Sequence, residues 1–208
     1  MNTCSHCKTP FEQGEIPSPF CSDLCLYAAH PELIRPRDVN VRLTQEQKRE
    51  AAWEASLDAR QRGYNFALLK PNAKAAGRRL IETWTGQSVL FLGASESCKT
   101  YLAYRLARVA HMKGNRVVHT SAEELRAAWL EERKTIEKAR SADVLLLDDL
   151  GMENATDGWV SAVYDVLKHR EDHERATLVT ANRAREFFEE RYGLPVANRL
   201  FRMEVVEL

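Results

Sequence analysis

Two sets of residues have the types and spacing to do chemistry. The first is Cys4-Ser-His-Cys7 with Cys21-Ser-Asp-Leu-Cys25, four thiols within the first 25 residues. Four thiolates form a closed tetrahedral zinc site. The second is Gly93-Ala-Ser-Glu-Ser-Cys98-Lys99-Thr100, which fits the phosphate-loop pattern G-x-x-x-x-G-K-[ST] at every fixed position but Cys98. In such a loop backbone N–H groups converge on phosphates, the lysine reaches the β and γ phosphates, and the hydroxyl holds Mg2+. About 50 residues later, Val144-Leu-Leu-Leu147-Asp148-Asp149 has the Walker B form, an aliphatic strand ending in two acids. There the first carboxylate holds Mg2+ and the second orients or deprotonates an attacking water. These residues call for ATP, Mg2+ and Zn2+.

The metal reading of the cysteines rests on redox compartment and on core size. The N-terminus has polar and cysteine residues where a signal peptide needs an apolar stretch, and the cytosol keeps thiols reduced. Paired cysteines at these spacings therefore read as ligands rather than disulfides. Pro10, Gly14, Pro17 and Pro19 lie between the pairs with few apolar residues. Metal binding must then supply much of the folding energy. Cys21 and Cys25, four apart, share one face of a helix's first turn, while Cys4 and Cys7 close a tight turn opposite. His6 is an alternative ligand, read as a bystander beside four thiolates.

Each half of the nucleotide reading has a plainer alternative. The loop can be an ordinary strand-to-helix turn, and Asp148-Asp149 an acidic turn after a buried strand. Found together, in this order and at this distance, they favour a nucleotide site. Two residues weaken the cradle. Cys98 adds a side chain where backbone must approach phosphate closely, and Glu96 adds a carboxylate, an unscreened repulsion on the order of 1 kcal/mol or more.

The elements that must position these residues alternate. Strands are expected at Ser88–Leu92, Arg116–Thr120, Asp143–Leu147 and Ala176–Ala181, and helices at Lys99–Lys113, from the capping box Ser121-Ala-Glu-Glu124 to about Ala139, and at 157–170. Such alternation implies a parallel sheet with helices on both faces and ligands at the carboxyl ends of the strands. Upstream, Pro31, Pro36 and Arg37 keep the chain extended or turned. Thr44-Gln-Glu-Gln47 is a further capping box opening a polar helix to about Arg62, stopped by Gly63, and a second helix follows from about Asn72 to Thr85 with Lys74, Arg78 and Arg79. The apolar runs are too short to cross a bilayer, so the chain reads as cytoplasmic and without a membrane partner. Its zero net charge is uneven: residues 31–85 carry eleven basic against seven acidic side chains, the segments on either side a net −2 each. That surplus is a weak signal for phosphate contact, and a solvated connector explains it as well.

Two resemblances add to this. Cys-x2-Cys with Pro-Phe-Cys21-Ser-x2-Cys25 resembles the small treble-clef zinc modules, including the YacG type that binds DNA gyrase, which bind partners and do no chemistry with their metal. Leu146-Leu-Asp148-Asp149-Leu-Gly151, Arg170, Thr177-Leu-Val-Thr180-Ala-Asn182-Arg183 and Asn198-Arg199-Leu200 resemble the AAA+ ATPases of the DnaC helicase-loader and IstB transposition-helper group over roughly residues 75–205. The resemblance implies an α/β P-loop NTPase of AAA+ type behind a small zinc finger and a helical connector, with domains at 1–30, 31–85 and 86–208. Gly93, Cys98, Lys99, Thr100 and Asp148 would bind nucleotide, Thr100 and Asp148 through Mg2+. Asp149 would be the catalytic acid, Asn182 the sensor that places the lytic water, and Arg199 an arginine finger reaching a neighbouring subunit in a homo-oligomer. Each has an alternative: Asn182 as a helix cap, Arg170 and Arg183 as surface charges, Arg199 paired with Glu189 or Glu190. The Gly-x-Asp-x-Arg ending of the group is missing before Leu208, and its nucleotide contacts with it. The expected function is ATP-dependent action on DNA with a replicative helicase or a transposase as partner, and single-stranded DNA as a further ligand. The alternative is an adaptor that binds without turnover.

Overall fold

The computed structural model describes residues 2–5, 8, 10–11, 44–57, 61, 69, 71–131 and 133–208. They fall into two compact units, Met1–Thr44 and Gln45–Leu208. In the first, β1 (Asn2–Thr3) pairs antiparallel with β2 (Pro10–Phe11), and within the turn between them Lys8 N–H donates to the Cys4 carbonyl at 3.1 Å. Cys4 is buried. Cys7, Cys21, Cys25, His6 and the connector prolines lie outside the described residues, and among the described ones no three His, Cys, Asp or Glu side chains gather as a metal site.

The second unit is built on a five-stranded, all-parallel sheet in the order β4-β5-β6-β3-β7, with β3 at Val89–Leu92, β4 at Val117–Ser121, β5 at Val144–Asp148, β6 at Ala176–Ala181 and β7 at Glu204–Glu207. The three central strands are runs of apolar and β-branched residues buried on both faces. Side chains alternate between two cores: Val89, Phe91, Val144 and Leu146 enter one, Leu90, Leu145, Leu147 and Val179 the other. Helices α1 (Gln45–Ser56), α2 (Pro71–Thr83) and α3 (Lys99–Met112) contribute to the first. Helices α4 (Ala122–Glu131), α5 (Arg133–Ser141), α6 (Asp157–Asp172) and α7 (Arg185–Leu200) contribute to the second. The α/β class and the parallel sheet with helices on both faces are as the alternation of elements implied.

Two local differences have physical causes. Ser121 and Glu124 do form the capping box, Oε2 of Glu124 accepting from Ser121 N–H at 2.9 Å and Oγ of Ser121 from Glu124 N–H at 3.1 Å. The helix it opens is nevertheless two helices, α4 and α5, packed on each other. Leu125 of α4 and Ala139 of α5 are buried in the same core. The described helices of the basic connector, in turn, pack on α3. Trp53 is buried against Tyr104, His111 and His119, and Arg108 Nη2 donates to both carboxylate oxygens of Glu50.

Arg170 is fully buried, which overturns its reading as a surface charge. Its guanidinium donates to the carbonyls of Ala139 (2.7 Å) and Ala142 (2.8 Å) at the end of α5, to that of Ala176, and to Thr177 Oγ1 (2.9 Å). Burial, with Arg175 nearby, brings its pKa down to about 10, so it is cationic at neutral pH. It ties α5, α6 and β6 together by satisfying carbonyls that a helix end leaves without partners. Arg170→Met should lower stability by about 3–5 kcal/mol in urea unfolding. Arg170→Lys should recover little of it, because an ammonium cannot fork between these carbonyls. A loss below about 1 kcal/mol would contradict this role.

Candidate nucleotide-binding site

The strand order puts β6 between β3 and β5, so the segments after all three strands meet at one edge of the sheet. After β3 the chain enters the Gly93–Cys98 loop and then α3. A Cβ on Gly93 would stand 2.3 Å from the Leu208 carbonyl oxygen and 2.7 Å from Ser97 Oγ, so only glycine fits. Glu96 (φ 61°) and Cys98 (φ 74°, ψ 16°) are both left-handed. Cys98 thus takes the conformation for which a glycine is suited, at a cost of roughly 1–2 kcal/mol. It gives α3 no side-chain cap, which leaves the first N–H groups of the helix for an anion.

Lys99 is buried, and its Nζ donates to the carbonyls of Gly93 (2.9 Å) and Ala94 (2.6 Å) and to Ser97 Oγ (3.3 Å). Burial pulls its pKa below the ordinary lysine value, against the opposing pull of Asp149 and Asp148. Thr100 Oγ1 donates to Asp148 Oδ1 at 2.9 Å. This hydroxyl–carboxylate pair is the oxygen donor set that suits Mg2+ beside phosphates, so the residues present fit the cation.

Thr180, fully buried in β6, organises the acid pair. Its Oγ1 donates to the same Asp148 Oδ1 at 2.5 Å and accepts from Asp149 N–H at 2.9 Å, while its carbonyl accepts from Leu150 N–H at 2.9 Å. Asp149 is left-handed (φ 55°) and its side chain is exposed at the strand end. Asn182 follows β6; its Nδ2 meets Met152 Sδ at 3.3 Å, and its buried Oδ1 has no hydrogen-bond partner.

Gly93, Cys98, Lys99, Thr100, Asp148, Asp149 and Asn182 therefore share the carboxyl edge of the sheet. Arg199 does not. It borders a cavity of about 420 Å³ at the opposite edge, together with Ser88, Ala176 and Glu204. It pairs with Glu171 (3.0 Å) rather than with Glu189 or Glu190, and lies over the Tyr164 ring at 4.5 Å. Glu189 instead takes Arg185 at 2.6 Å. Arg183 is an exposed charge stacked on Phe187 at 5.1 Å. Thr180 carries no role in the motif reading; its signal is a hydroxyl near the carboxyl end of a buried strand, beside the strand that ends in two acids.

The model of the IstB-like ATP binding protein family matches residues 38–197. The chain belongs to that family. A search of curated proteins finds no match. Among solved structures the fold is similar to the DnaC helicase loader (20% identity, TM-score 0.62, 73% of this chain and 99% of that one). It is also similar to DnaI (16%, 0.60, 73% and 91%) and to AMPPCP-bound DnaA from Aquifex aeolicus (18%, 0.58, 70% and 50%). The match therefore spans half the length of the DnaA chain, and half that of a DNA replication initiation factor. The family membership makes this an IstB-like ATP-binding domain, and the solved structures share its fold.

The left-handed loop residues make a direct prediction. Replacing Cys98 and Glu96 together by glycine should tighten ATP-analogue binding about fivefold or more in calorimetric titration, by removing backbone strain and a carboxylate. Unchanged or weaker affinity would show that neither residue limits the cradle.

Proposed function

We propose that this chain binds ATP with Mg2+ and uses nucleotide state to control a replicative helicase, as a helicase-loader-like protein. The observation that carries the reading is the 2.9 Å contact between Thr100 and Asp148 beside buried Lys99, the phosphate and metal halves of one site joined. Lys99 contacts the β and γ phosphates, and Thr100 and Asp148 hold the cation. Asp149 is the acid that handles the attacking water, and Asn182, directly after β6, positions that water. Mg2+, when bound, supplies charge neutralisation of the phosphates.

Arg199 is proposed as the finger toward a second copy; its place away from its own phosphate loop suits a contact made between subunits. Single-stranded DNA is the further ligand, and the DnaA structure solved with single-stranded DNA has a similar fold. A transposase in place of the helicase is the alternative partner within the same family. The site of action is proposed to be the cytoplasm. Among the described residues no helix is long and apolar enough to cross a membrane.

The four-cysteine module is proposed to hold one Zn2+ through Cys4, Cys7, Cys21 and Cys25 and to recruit the partner. Four thiols with these spacings fit a structural zinc site, and the β1–β2 turn with buried Cys4 is compatible with one. A second reading, an adaptor that binds nucleotide with little turnover, is favoured by the left-handed Glu96 and Cys98.

Lys99→Ala should weaken ATP-analogue binding about tenfold or more relative to the wild type. Equal affinity in both, or none in the wild type, would refute the nucleotide reading. Metal analysis of the purified chain should find one zinc per molecule, lost together with partner capture when Cys21 and Cys25 become serine. Zinc-free, folded, partner-competent protein would refute the zinc module.

A further inference from the structure

Four residues past Asp149 the chain buries Glu153, which is 4% exposed. Three donors from three places converge on this carboxylate. Gly151 N–H donates to Oε2 at 3.0 Å, Trp159 Nε1–H at the start of α6 donates to Oε1 at 2.8 Å, and the Tyr192 hydroxyl on α7 donates to the same Oε1. Arg191 adds a bond to the Glu153 carbonyl at 3.2 Å. Trp159 and Tyr192 are themselves buried, and burial with the bond to Glu153 pushes the Tyr192 hydroxyl pKa up, so it remains a donor. A buried carboxylate is costly without such donors. Here its partners are the loop that carries the acid and the two helices on which that loop rests.

The loop between them is short and tightly held. Asp149 and Leu150 are tied by their N–H groups to Thr180, and Met152 N–H closes a turn onto the Asp149 carbonyl at 3.2 Å. Gly151 has φ 98°, and a Cβ there would stand 3.1 Å from Phe187 and 3.4 Å from Phe188, so the backbone lies directly on α7. Thr180 secures one end of the loop, and the Glu153–Gly151 bond secures the other. Asp149, left-handed and with an exposed carboxylate, has its direction set by these two anchors.

We infer that Glu153 is a positioning residue for Asp149, fixing through Gly151 N–H and through Trp159 and Tyr192 the direction in which the acid meets the attacking water. The inference rests on the reading of Asp149 as the acid of an ATP-hydrolysing site. It assigns Glu153 no contact with nucleotide, and so separates turnover from binding.

Glu153→Gln is the discriminating change in the full chain. It keeps shape and volume but must set an amide NH2 against Gly151 N–H or against the Trp159 and Tyr192 donors, since all three partners donate. The expected result is a fall in kcat of about tenfold or more, with ATP-analogue Kd within about twofold of wild type and a folded protein at the assay temperature. Should that variant not fold, Tyr192→Phe keeps the ring and removes one donor, and the same split, smaller in size, is expected. Unaltered kcat in a wild type that turns over ATP would overturn the inference alone, and so would a parallel loss of kcat and nucleotide affinity. Absence of wild-type turnover would overturn the reading of Asp149 and the inference with it.

Discussion

One oxygen organises the carboxyl edge of this sheet. Oδ1 of Asp148 accepts from Thr100 at 2.9 Å and from Thr180 at 2.5 Å, so the loop helix, the acid strand and the strand between β3 and β5 are bonded at a single atom. The strand order makes this possible. With β6 inserted between β3 and β5, Thr180 lies in register with Phe91 and two residues before Asn182, and its hydroxyl reaches the Asp148 carboxylate and the Asp149 N–H. A hydrogen bond to an ionised carboxylate is roughly twice as strong as a neutral one. Both bonds direct the carboxylate before any ligand arrives.

This edge also concentrates backbone strain. Glu96, Cys98 and Asp149 are three of the five non-glycine residues with positive φ among those described, and all belong to the two motif loops. Strain of this kind persists only where the surroundings over-determine it. They do so here: Lys99 holds the Gly93 and Ala94 carbonyls, Thr180 holds Asp149 and Leu150, and Glu153 holds Gly151. The opposite edge is held by Arg170, whose guanidinium fixes the end of α5 against β6. The sheet is thus stapled by a buried cation at one edge and by buried or half-buried carboxylates at the other.

The fold was legible because its signals are local and periodic. The short apolar runs Val89–Leu92 and Val144–Leu147 have the length and composition of buried strands, and Ser121 with Glu124 marks a helix start. Lys99, Thr100, Asp148 and Asp149 were legible because their spacing is fixed by local strand–loop geometry. Arg170, Thr180 and Glu153 were not, since nothing local distinguishes a buried arginine or glutamate from a surface one. Their roles depend on partners distant in sequence as well as near ones, such as Ala142 for Arg170, Thr180 itself for Asp148, and Tyr192 for Glu153, 28 to 39 residues away. Trp53 tells the same story, a single apolar side chain that docks an otherwise polar helix. Arg199 was legible as a motif residue but not in its partner, because its pairing with Glu171 depends on how α6 and α7 cross.

On the proposed function, Thr100 and Asp148 act as one cation site beneath the phosphates. The direct measurement is a double-mutant cycle, Thr100→Val and Asp148→Asn, on the Mg2+-dependent part of ATP-analogue affinity. Shared ligation predicts that each change removes most of that part and that the two together remove little more, a coupling of roughly 1 kcal/mol or more. Strictly additive losses, or wild-type affinity indifferent to Mg2+, would contradict it.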